Sequence, residues 1–125
     1  MDDYKTKLVE QIKNIIIETV QYSNLAELNL NFSALLSEKL QKPYSYLSNL
    51  FSEQEDNTIE HYIIRQKIEK VKELMEYGDL NLNEIAFKMG YSSSAHLSAQ
   101  FKKITGFSPS HYRSLKAGRK ALDQL

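Results

Sequence analysis

The sequence has 125 residues, of which 42% are hydrophobic, and this is a normal length for one compact unit with a buried core. It contains no cysteine, which excludes disulfides and thiolate metal sites. The run Ile15-Ile16-Ile17 is too short for a signal peptide or a membrane span, so we expect a cytoplasmic protein without a membrane partner.

The net charge is zero, but the charges are divided unevenly along the chain. Residues 1–60 contain five basic and ten acidic residues, a net charge of −5, whereas residues 61–125 contain eleven basic and six acidic residues, a net charge of +5. From Ile85 onward, seven basic residues accompany a single acid, Asp123. This split predicts that only the C-terminal part meets a polyanion, and a chance scatter of solvated charges is the alternative.

The spacing of apolar residues is helical along nearly the whole chain, and no segment alternates as a strand would. We therefore predict an all-α fold. The first helix is long and carries its apolar residues on one stripe, and a polar connection over residues 24–31 follows it. The seven predicted helices lie at about residues 3–22, 32–40, 44–53, 58–77, 82–89, 93–104 and 109–117.

Capping residues, glycines and prolines predict where these helices begin and end. Asn81 and Glu84 have the spacing of a capping box, in which each side chain bonds the other residue's backbone N–H. Ser108-Pro109 combines a capping serine with a proline in the first helical position. The predicted N-caps are Asn31, Thr58, Asn81, Ser92 and Ser108, and the residues predicted to end a helix or turn the chain are Pro43, Gly78, Gly90 and Gly106.

Two segments, near residues 32–62 and 82–112, repeat each other at a spacing of 50 residues. Each contains a helix, a tight turn and a second helix, and apolar residues four positions apart hold the second helix against the core. The opposite face of the second helix then points outward, as does the face that enters the major groove in a helix-turn-helix. The matching pairs are Tyr46 and His96, Leu47 and Leu97, Phe51 and Phe101, Asp56 and Gly106, Thr58 and Ser108, His61 and His111, and Tyr62 and Tyr112.

The second repeat resembles the signature of the AraC/XylS family of bacterial transcription regulators. Glu-Ile-Ala and Gly-Tyr lie in Asn83–Tyr91, Phe-Lys-Lys ends His96–Lys103, and Gly-Phe-Ser-Pro-Ser-His-Tyr-Arg forms Gly106–Arg113. The first repeat matches more weakly, through Tyr46–Phe51. The resemblance implies a homeodomain-like fold of two helix-turn-helix subdomains, joined by a long central helix and addressing major-groove faces roughly 34 Å apart. Many relatives carry a separate sensing or dimerising domain.

The first repeat departs from the family pattern where DNA phosphates would be bound. The usual Phe-Lys-Lys is Phe51-Ser52-Glu53, and Glu55 and Asp56 follow it. Carboxylates at these positions would repel phosphates. Gln41 also replaces the usual glycine of the turn. The second repeat departs as well, because small residues stand at outward positions where many relatives have glutamine and arginine.

We predict a sequence-specific DNA-binding transcription regulator whose recognition helices enter the major groove and whose second subdomain is dominant. Serine reads bases weakly, alanine can touch a thymine methyl group, and Asn49 is able to read adenine through two hydrogen bonds. Lysines, and the start of the last helix, are expected to bind phosphates. The predicted DNA-binding residues are Ser93, Ser94, Ala95, His96, Ser98, Ala99, Lys102, Lys103, Ser108 and Arg113 in the second repeat, and Tyr44, Ser45, Ser48 and Asn49 in the first.

The domain organisation follows from these assignments. We expect the N-terminal helix and first subdomain in residues 1–57, the linker helix in 58–77, the second subdomain in 78–118 and a tail in 119–125. Double-stranded DNA is the expected partner, which places the protein at the nucleoid. A homodimer, or a sensing domain outside this chain, stays open, and no cofactor is expected.

The alternative is a helix-turn-helix module with weakened DNA binding that acts in protein interaction or dimerisation. The zero net charge, the acidic first repeat and the apolar stripe of residues 3–22, which could seat a partner, favour it. An enzyme or a metal site is not expected, because the three histidines belong to different helices and no nucleophile has a neighbouring base. The residues predicted to pack in the core rather than to bind DNA are Tyr46, Leu47, Leu50, Phe51, Tyr62, Leu97, Phe101 and Tyr112.

Overall fold

The computed structural model describes residues 3–23, 25 and 31–123, with the backbone alone for residues 119–123. Every secondary-structure element in these ranges is helical, which confirms the all-α prediction. Most of the polar connection predicted over residues 24–31 lies outside the described residues. The helices are α1 (Asp3–Tyr22), α2 (Phe32–Leu40), α3 (Tyr44–Glu55), α4 (Ile59–Tyr77), α5 (Leu82–Lys88), α6 (Ser94–Thr105) and α7 (Pro109–Asp123).

The chain forms two compact units, residues 1–67 (unit 1) and residues 68–125 (unit 2). The boundary between them lies in the middle of α4, so this helix contributes its first half to one core and its second half to the other. Each unit contains one of the two sequence repeats as a helix-turn-helix, α2 with α3 in unit 1 and α5 with α6 in unit 2.

The apolar stripe of α1 is buried inside unit 1. Leu8, Ile12, Ile16 and Val20 are at most 4% exposed, and α1 packs against both α2 and α3. Burying such side chains contributes about 1.5–3 kcal/mol each, so the stripe is a main source of this unit's stability. The stripe is therefore used within the chain, and it does not offer the open partner surface that was one argument for the alternative function.

Unit 2 builds its core from one face of each of its helices. The second half of α4 supplies apolar side chains as α1 does in unit 1, and α5 and α6 supply the helix-turn-helix residues. Ala86 is 2% exposed, as expected for a small residue on the first helix of the motif. The buried residues of this core are Ile68, Val71, Met75, Ile85, Ala86, Met89, Tyr91, Leu97, Phe101 and Pro109.

Four of the five predicted N-caps are confirmed. The Asn31 side chain accepts hydrogen bonds from the first backbone N–H groups of α2, and Asn81 and Glu84 form the reciprocal capping box of α5. Thr58 Oγ1 and Ser108 Oγ accept the backbone N–H groups of His61 (3.0 Å) and His111 (3.1 Å).

The prediction for the fifth N-cap was wrong by one residue. Ser93, and not Ser92, caps α6, because its extended backbone places Oγ 3.1 Å from the backbone nitrogen of His96. The Ser92 hydroxyl lies 3.2 Å from Nδ1 of the same histidine. Three consecutive serines offer similar capping oxygens, so the choice depends on the backbone path after Gly90.

Three further predictions are corrected by the structure. α3 continues to Glu55, and α7 continues to Asp123, beyond the predicted end near Ala117. Gly118 does not stop α7, because an interior glycine costs only about 1 kcal/mol relative to alanine and the residues after it are good helix formers. Tyr46 on α3 is not a core residue, since it is 39% exposed.

Each helix-turn-helix contains two residues with left-handed backbone, and in unit 1 neither is glycine. Gly90 and Gly106 of unit 2 have φ values of 78° and 87°, and the corresponding Gln41 and Asp56 of unit 1 both have a φ of 55°. Side chains with a Cβ are strained in this region, although aspartate tolerates it better than glutamine does. Unit 1 therefore carries strain at the turn that unit 2 avoids.

We predict that Gln41→Gly stabilises unit 1 by about 0.5 kcal/mol, because relief of left-handed strain exceeds the extra chain entropy that glycine brings to the unfolded state. The control is Gln11→Gly, at an exposed position within α1, which should destabilise by about 1 kcal/mol. Urea unfolding followed by circular dichroism measures both changes. Destabilisation by Gln41→Gly would contradict the assignment of strain.

Candidate nucleic-acid interface

The second helix of each motif is fixed by the same aromatic contact. The rings of Phe51 and Tyr62 in unit 1 meet edge to face with centroids 5.6 Å apart, and those of Phe101 and Tyr112 in unit 2 do so at 5.4 Å. Edge-to-face pairs add about 0.5–1.5 kcal/mol beyond the area that they bury. The predicted packing role of both tyrosines is confirmed. α3 and α6 are thereby held in the same way, each by the first turn of the next helix.

The outward face of α6 is open to solvent and carries short side chains. Leu97 and Phe101 are fully buried, whereas Ala95 and Ala99 on the opposite side are exposed. The two residues of each pair are four positions apart and share one face of the helix, and the two pairs are offset by two positions, which places them on opposite faces. The exposed residues of α6 are Ala95, His96, Ala99, Lys102 and Lys103, and the half-buried residues beside them are Ser94 and Ser98.

The start of α6 is held by a tyrosine in the turn before it. The Tyr91 hydroxyl donates a hydrogen bond to Gln100 Oε1 (2.5 Å), and its ring meets the His96 imidazole edge to face at 5.3 Å. Burial raises the pKa of Tyr91 to about 12, so this hydroxyl keeps its proton at any physiological pH. His96 is oriented from two sides, by Tyr91 and by the hydroxyl of Ser92.

The predicted basic residues of unit 2 fall into two groups. Lys102 and Lys103 are exposed at the end of α6, and neither forms an ion pair with any residue that the structure describes. Arg113 lies on α7 instead, where it lines an open groove with Met75 and Leu82. Only the two lysines therefore continue the outward face of α6.

Two other polar groups, one on α7 and one at its N-cap, already have partners. Lys116 pairs with Glu76 at 3.5 Å and lies 5.7 Å from the ring centroid of Tyr112. The Ser108 oxygen accepts the backbone N–H that it caps, which leaves its hydroxyl hydrogen to donate to another group. Ser108 is therefore able to bind an oxygen ligand while it remains the N-cap of α7.

The outward face of α3 in unit 1 is also polar, with Ser45 and Asn49 exposed and Ser48 half-buried. The Tyr44 hydroxyl donates a hydrogen bond to the Glu60 carboxylate, and its burial, together with this bond, raises the pKa of Tyr44. Its proton is therefore engaged within the protein. The other predicted contact residues on α3 form no hydrogen bond to another side chain in the described part of the chain. They are Ser45, Ser48 and Asn49.

Part of the acidic cluster in unit 1 is neutralised from α1. Glu55 pairs with Lys13 at 2.5 Å, and this hydrogen bond is the largest cause of the raised pKa of Lys13. Glu53 and Asp56 are exposed and form no ion pair within the described residues. Two of the three carboxylates expected to repel phosphate therefore remain unpaired in the part of the chain that the structure describes. One of these, Glu53, occupies the position that Lys103 has in unit 2.

The structure also brings together three residues that the sequence analysis did not combine. Lys42 Nζ lies 5.8 Å from the ring centroid of Tyr4 on α1 and 6.0 Å from that of Tyr46 on α3. Lys42 follows Gln41 in the turn and corresponds to Tyr91 in the second motif. The sequence did contain one indication of this difference, because the first repeat has a basic residue where the second has an aromatic one. Its contact with α1 could not be read from the repeat.

Within the ranges that the structure describes, no group of three histidine, cysteine, aspartate or glutamate residues is placed to hold a metal ion. No described helix is long and apolar enough to cross a membrane.

A family model described as a helix-turn-helix domain matches residues 36–114, which is more than half of the chain. The chain belongs to the AraC/XylS family. A solved structure similar to this AraC/XylS chain is the C-terminal domain of AraT, a response regulator from Geobacillus stearothermophilus. It superimposes with a TM-score of 0.71 at 26% identity and covers 86% of this chain and 84% of its own.

Other AraC/XylS relatives agree with this assignment. The C-terminal domain of the response regulator yesN from Fusobacterium nucleatum has a TM-score of 0.64 and 30% identity, covering 83% of this chain and 95% of its own. The Msm operon regulatory protein of Streptococcus mutans is 31% identical over 105 residues, 84% of this chain but 35% of that protein. The chain thus spans about a third of the length of this relative, and 15% of the regulator YtdP of Bacillus subtilis.

Proposed function

We propose that this chain is the DNA-binding part of a bacterial transcription regulator and that α6 lies in the major groove of double-stranded DNA. The observation that carries the proposal is the solvent-open face of α6, where short side chains lead to two exposed, unpaired lysines within the described structure. A helix enters the major groove by presenting such a face near its N-terminus. The relatives named above carry regulator names, which supports the same function and favours it over an enzyme or a protein-interaction module.

The small residues of α6 define how it would read bases. Ala95 and Ala99 present methyl groups that fit against the methyl group of thymine, and Ser94 and Ser98 present hydroxyls that bond several bases. Neither type discriminates strongly between base pairs. The sequence preference of unit 2 is therefore expected to be modest and to depend also on DNA shape and deformability.

Phosphate contacts would position this face on the duplex. Lys102 and Lys103 extend from the last turn of α6, and the free hydroxyl hydrogen of Ser108 lies at the start of the next helix. Arg113 is a further candidate from α7. Such contacts fix register and supply most of the affinity without carrying sequence information. This makes unit 2 the dominant unit for affinity.

Unit 1 would contribute sequence preference more than affinity. Asn49 is exposed on α3 and is the residue there able to make two hydrogen bonds to adenine, with Ser45 and Ser48 beside it. The exposed Glu53 at the end of the same face opposes phosphate. Because the proposed partner is chromosomal DNA, the proposal also places the protein at the nucleoid, in the cytoplasm.

The test is a salt series on DNA selected from a random pool at low salt. Binding measured by fluorescence anisotropy should weaken steeply with salt, with a slope of roughly −0.9 for each phosphate neutralised. Poly-glutamate at equal charge serves as the control for nonspecific attraction of an anion. Absence of DNA binding at about 50 mM salt would exclude the proposal and favour an interaction module.

We predict that Glu53→Lys strengthens DNA binding by about threefold to tenfold, because it replaces a repelled carboxylate by the lysine that unit 2 has at the same repeat position. Glu18→Lys, at an exposed position of α1, makes the same charge change away from α3 and should have little effect. The two variants are compared by the same anisotropy titration. Equal gains from both would mean that net charge alone, and not the position of Glu53, controls affinity.

A further inference from the structure

Lys42 is held in a defined place by two tyrosine rings. Its Nζ atom lies 5.8 Å from the ring centroid of Tyr4 and 6.0 Å from that of Tyr46, both within the range in which an ammonium group is attracted by an aromatic face. Its side chain is half-buried, and it forms no ion pair with a carboxylate among residues 3–23, 25 and 31–118. A held cation without a carboxylate partner is available to another anion.

The turn around Lys42 is itself ordered. The Ser37 hydroxyl on α2 donates a hydrogen bond of 2.7 Å to the Lys42 carbonyl oxygen, and the Gln41 side chain donates to the Glu38 carbonyl oxygen. The turn is thus tied to α2 by two hydrogen bonds, one to the Lys42 backbone and one from the Gln41 side chain. The contact with the Tyr46 ring places the Lys42 ammonium group beside α3.

This position lies beside the proposed reading face of unit 1. Tyr46, whose ring contacts Lys42, is 39% exposed and adjoins the exposed residues Ser45 and Asn49 on α3. The ammonium group is therefore close to the N-terminal end of the face that would meet the bases. The Tyr4 ring comes from α1, so an element outside the helix-turn-helix shapes this edge of the surface.

The corresponding place in unit 2 has the opposite arrangement. There the turn residue is the aromatic one, Tyr91, which is buried, and its ring packs against His96 at the position of Tyr46. Unit 2 has its cations at the other end of the recognition helix, at Lys102 and Lys103, where unit 1 has Ser52 and Glu53. Lys42 therefore lies before the start of α3, whereas Lys102 and Lys103 lie in the last turn of α6.

We propose that Lys42, positioned by Tyr4 and Tyr46, is the residue through which unit 1 binds a DNA backbone phosphate. This inference rests on the proposed DNA-binding function and adds to it a phosphate anchor in the unit that lacks the usual lysines. The contact is made at the turn before α3, and it compensates for the carboxylate of Glu53 at the far end of that helix. The tyrosine rings reduce the freedom of the lysine side chain, so less entropy is lost when the phosphate binds.

The test compares Lys42→Ala with Lys39→Ala in anisotropy titrations on DNA from the selected pool, across a salt series. Lys42→Ala should weaken binding about threefold to tenfold and reduce the magnitude of the salt slope by about 0.9, the value for one phosphate contact. Lys39→Ala removes an equal charge from an exposed site on α2 and should leave the slope unchanged. Lys42→Arg keeps the charge and should bind within about twofold of the unchanged protein.

Tyr4→Leu gives a second measurement that does not remove the charge. It should weaken binding by a smaller factor and keep the salt slope, because the ammonium group remains but is held less firmly. A Lys42→Ala variant that folds and binds DNA with the original affinity and slope would overturn the inference while leaving the proposed function intact. Failure of the unchanged protein to bind DNA at low salt would overturn both.

Discussion

Replacing both Lys102 and Lys103 with glutamate is expected to lower the affinity for DNA by about 100-fold at roughly 100 mM salt. Two charge-assisted hydrogen bonds to phosphate at about 1.5 kcal/mol each account for this factor, and the introduced carboxylates add repulsion. Both side chains are exposed in the last turn of α6, so the substitutions should leave the fold unchanged. Anisotropy or an electrophoretic shift assay measures the loss, and circular dichroism checks the fold.

The matched control is the double variant Lys7→Glu, Lys39→Glu, which makes the same change in net charge on α1 and α2. It should weaken binding far less than the α6 variant, because these lysines lie away from the proposed DNA-contacting face of α6. Asn49→Ala is the comparison within the proposed interface, and it should change the preferred sequence with a smaller loss of affinity. If Asn49→Ala proved more damaging than the double lysine variant, unit 1 and not unit 2 would be the dominant reader.

Phe101→Ala is expected to destabilise unit 2 by about 3–5 kcal/mol, because it leaves a cavity at a fully buried site and removes the edge-to-face partner of Tyr112. A loss of this size is a large fraction of the total stability of a small domain. DNA binding should then disappear together with the ordered α6. Urea unfolding followed by circular dichroism, with backbone amide spectra to identify the unfolded residues, measures the effect.

The chain offers an exposed phenylalanine in the same unit as the control. Phe87 on α5 is 70% exposed, so Phe87→Ala truncates the same type of side chain at a solvent-exposed position and not in the core. It should change the free energy of unfolding by less than about 0.5 kcal/mol. Equal destabilisation by the two variants would mean that the burial of Phe101 is not what supports α6. Preserved DNA binding in an unfolded Phe101→Ala variant would exclude α6 as the contact surface.

Local features of the fold could be predicted from the sequence because their causes lie within a few residues. The capping box of Asn81 and Glu84, and the caps at Thr58 and Ser108, depend on side chains that reach N–H groups three residues away. The repeat likewise predicted that Tyr62 and Tyr112 occupy equivalent packing positions. Where neighbouring residues offer equal local choices, as Ser92 and Ser93 do, sequence reasoning selected the wrong one.

Features that depend on packing between helices were not predictable in the same way. The stripe on α1 was consistent either with an internal core or with a partner surface, and only its contacts with α2 and α3 decide between them. The contact between Lys42 and the Tyr4 ring joins residues that are far apart in the sequence. The pairing of Glu55 with Lys13 similarly joins α3 to α1 and neutralises one of the carboxylates at the end of α3.

The separation of roles on α6 affects how the domain can change over time. Leu97 and Phe101, on one side of the helix, are fully buried, and Ala95 and Ala99, on the other, are exposed to solvent. Substitutions at the two alanines should therefore alter the preferred operator with little penalty in thermodynamic stability. Under the proposed contact of α6 with DNA, a lineage carrying this domain would change its preferred DNA sequence through single codon changes at these two positions.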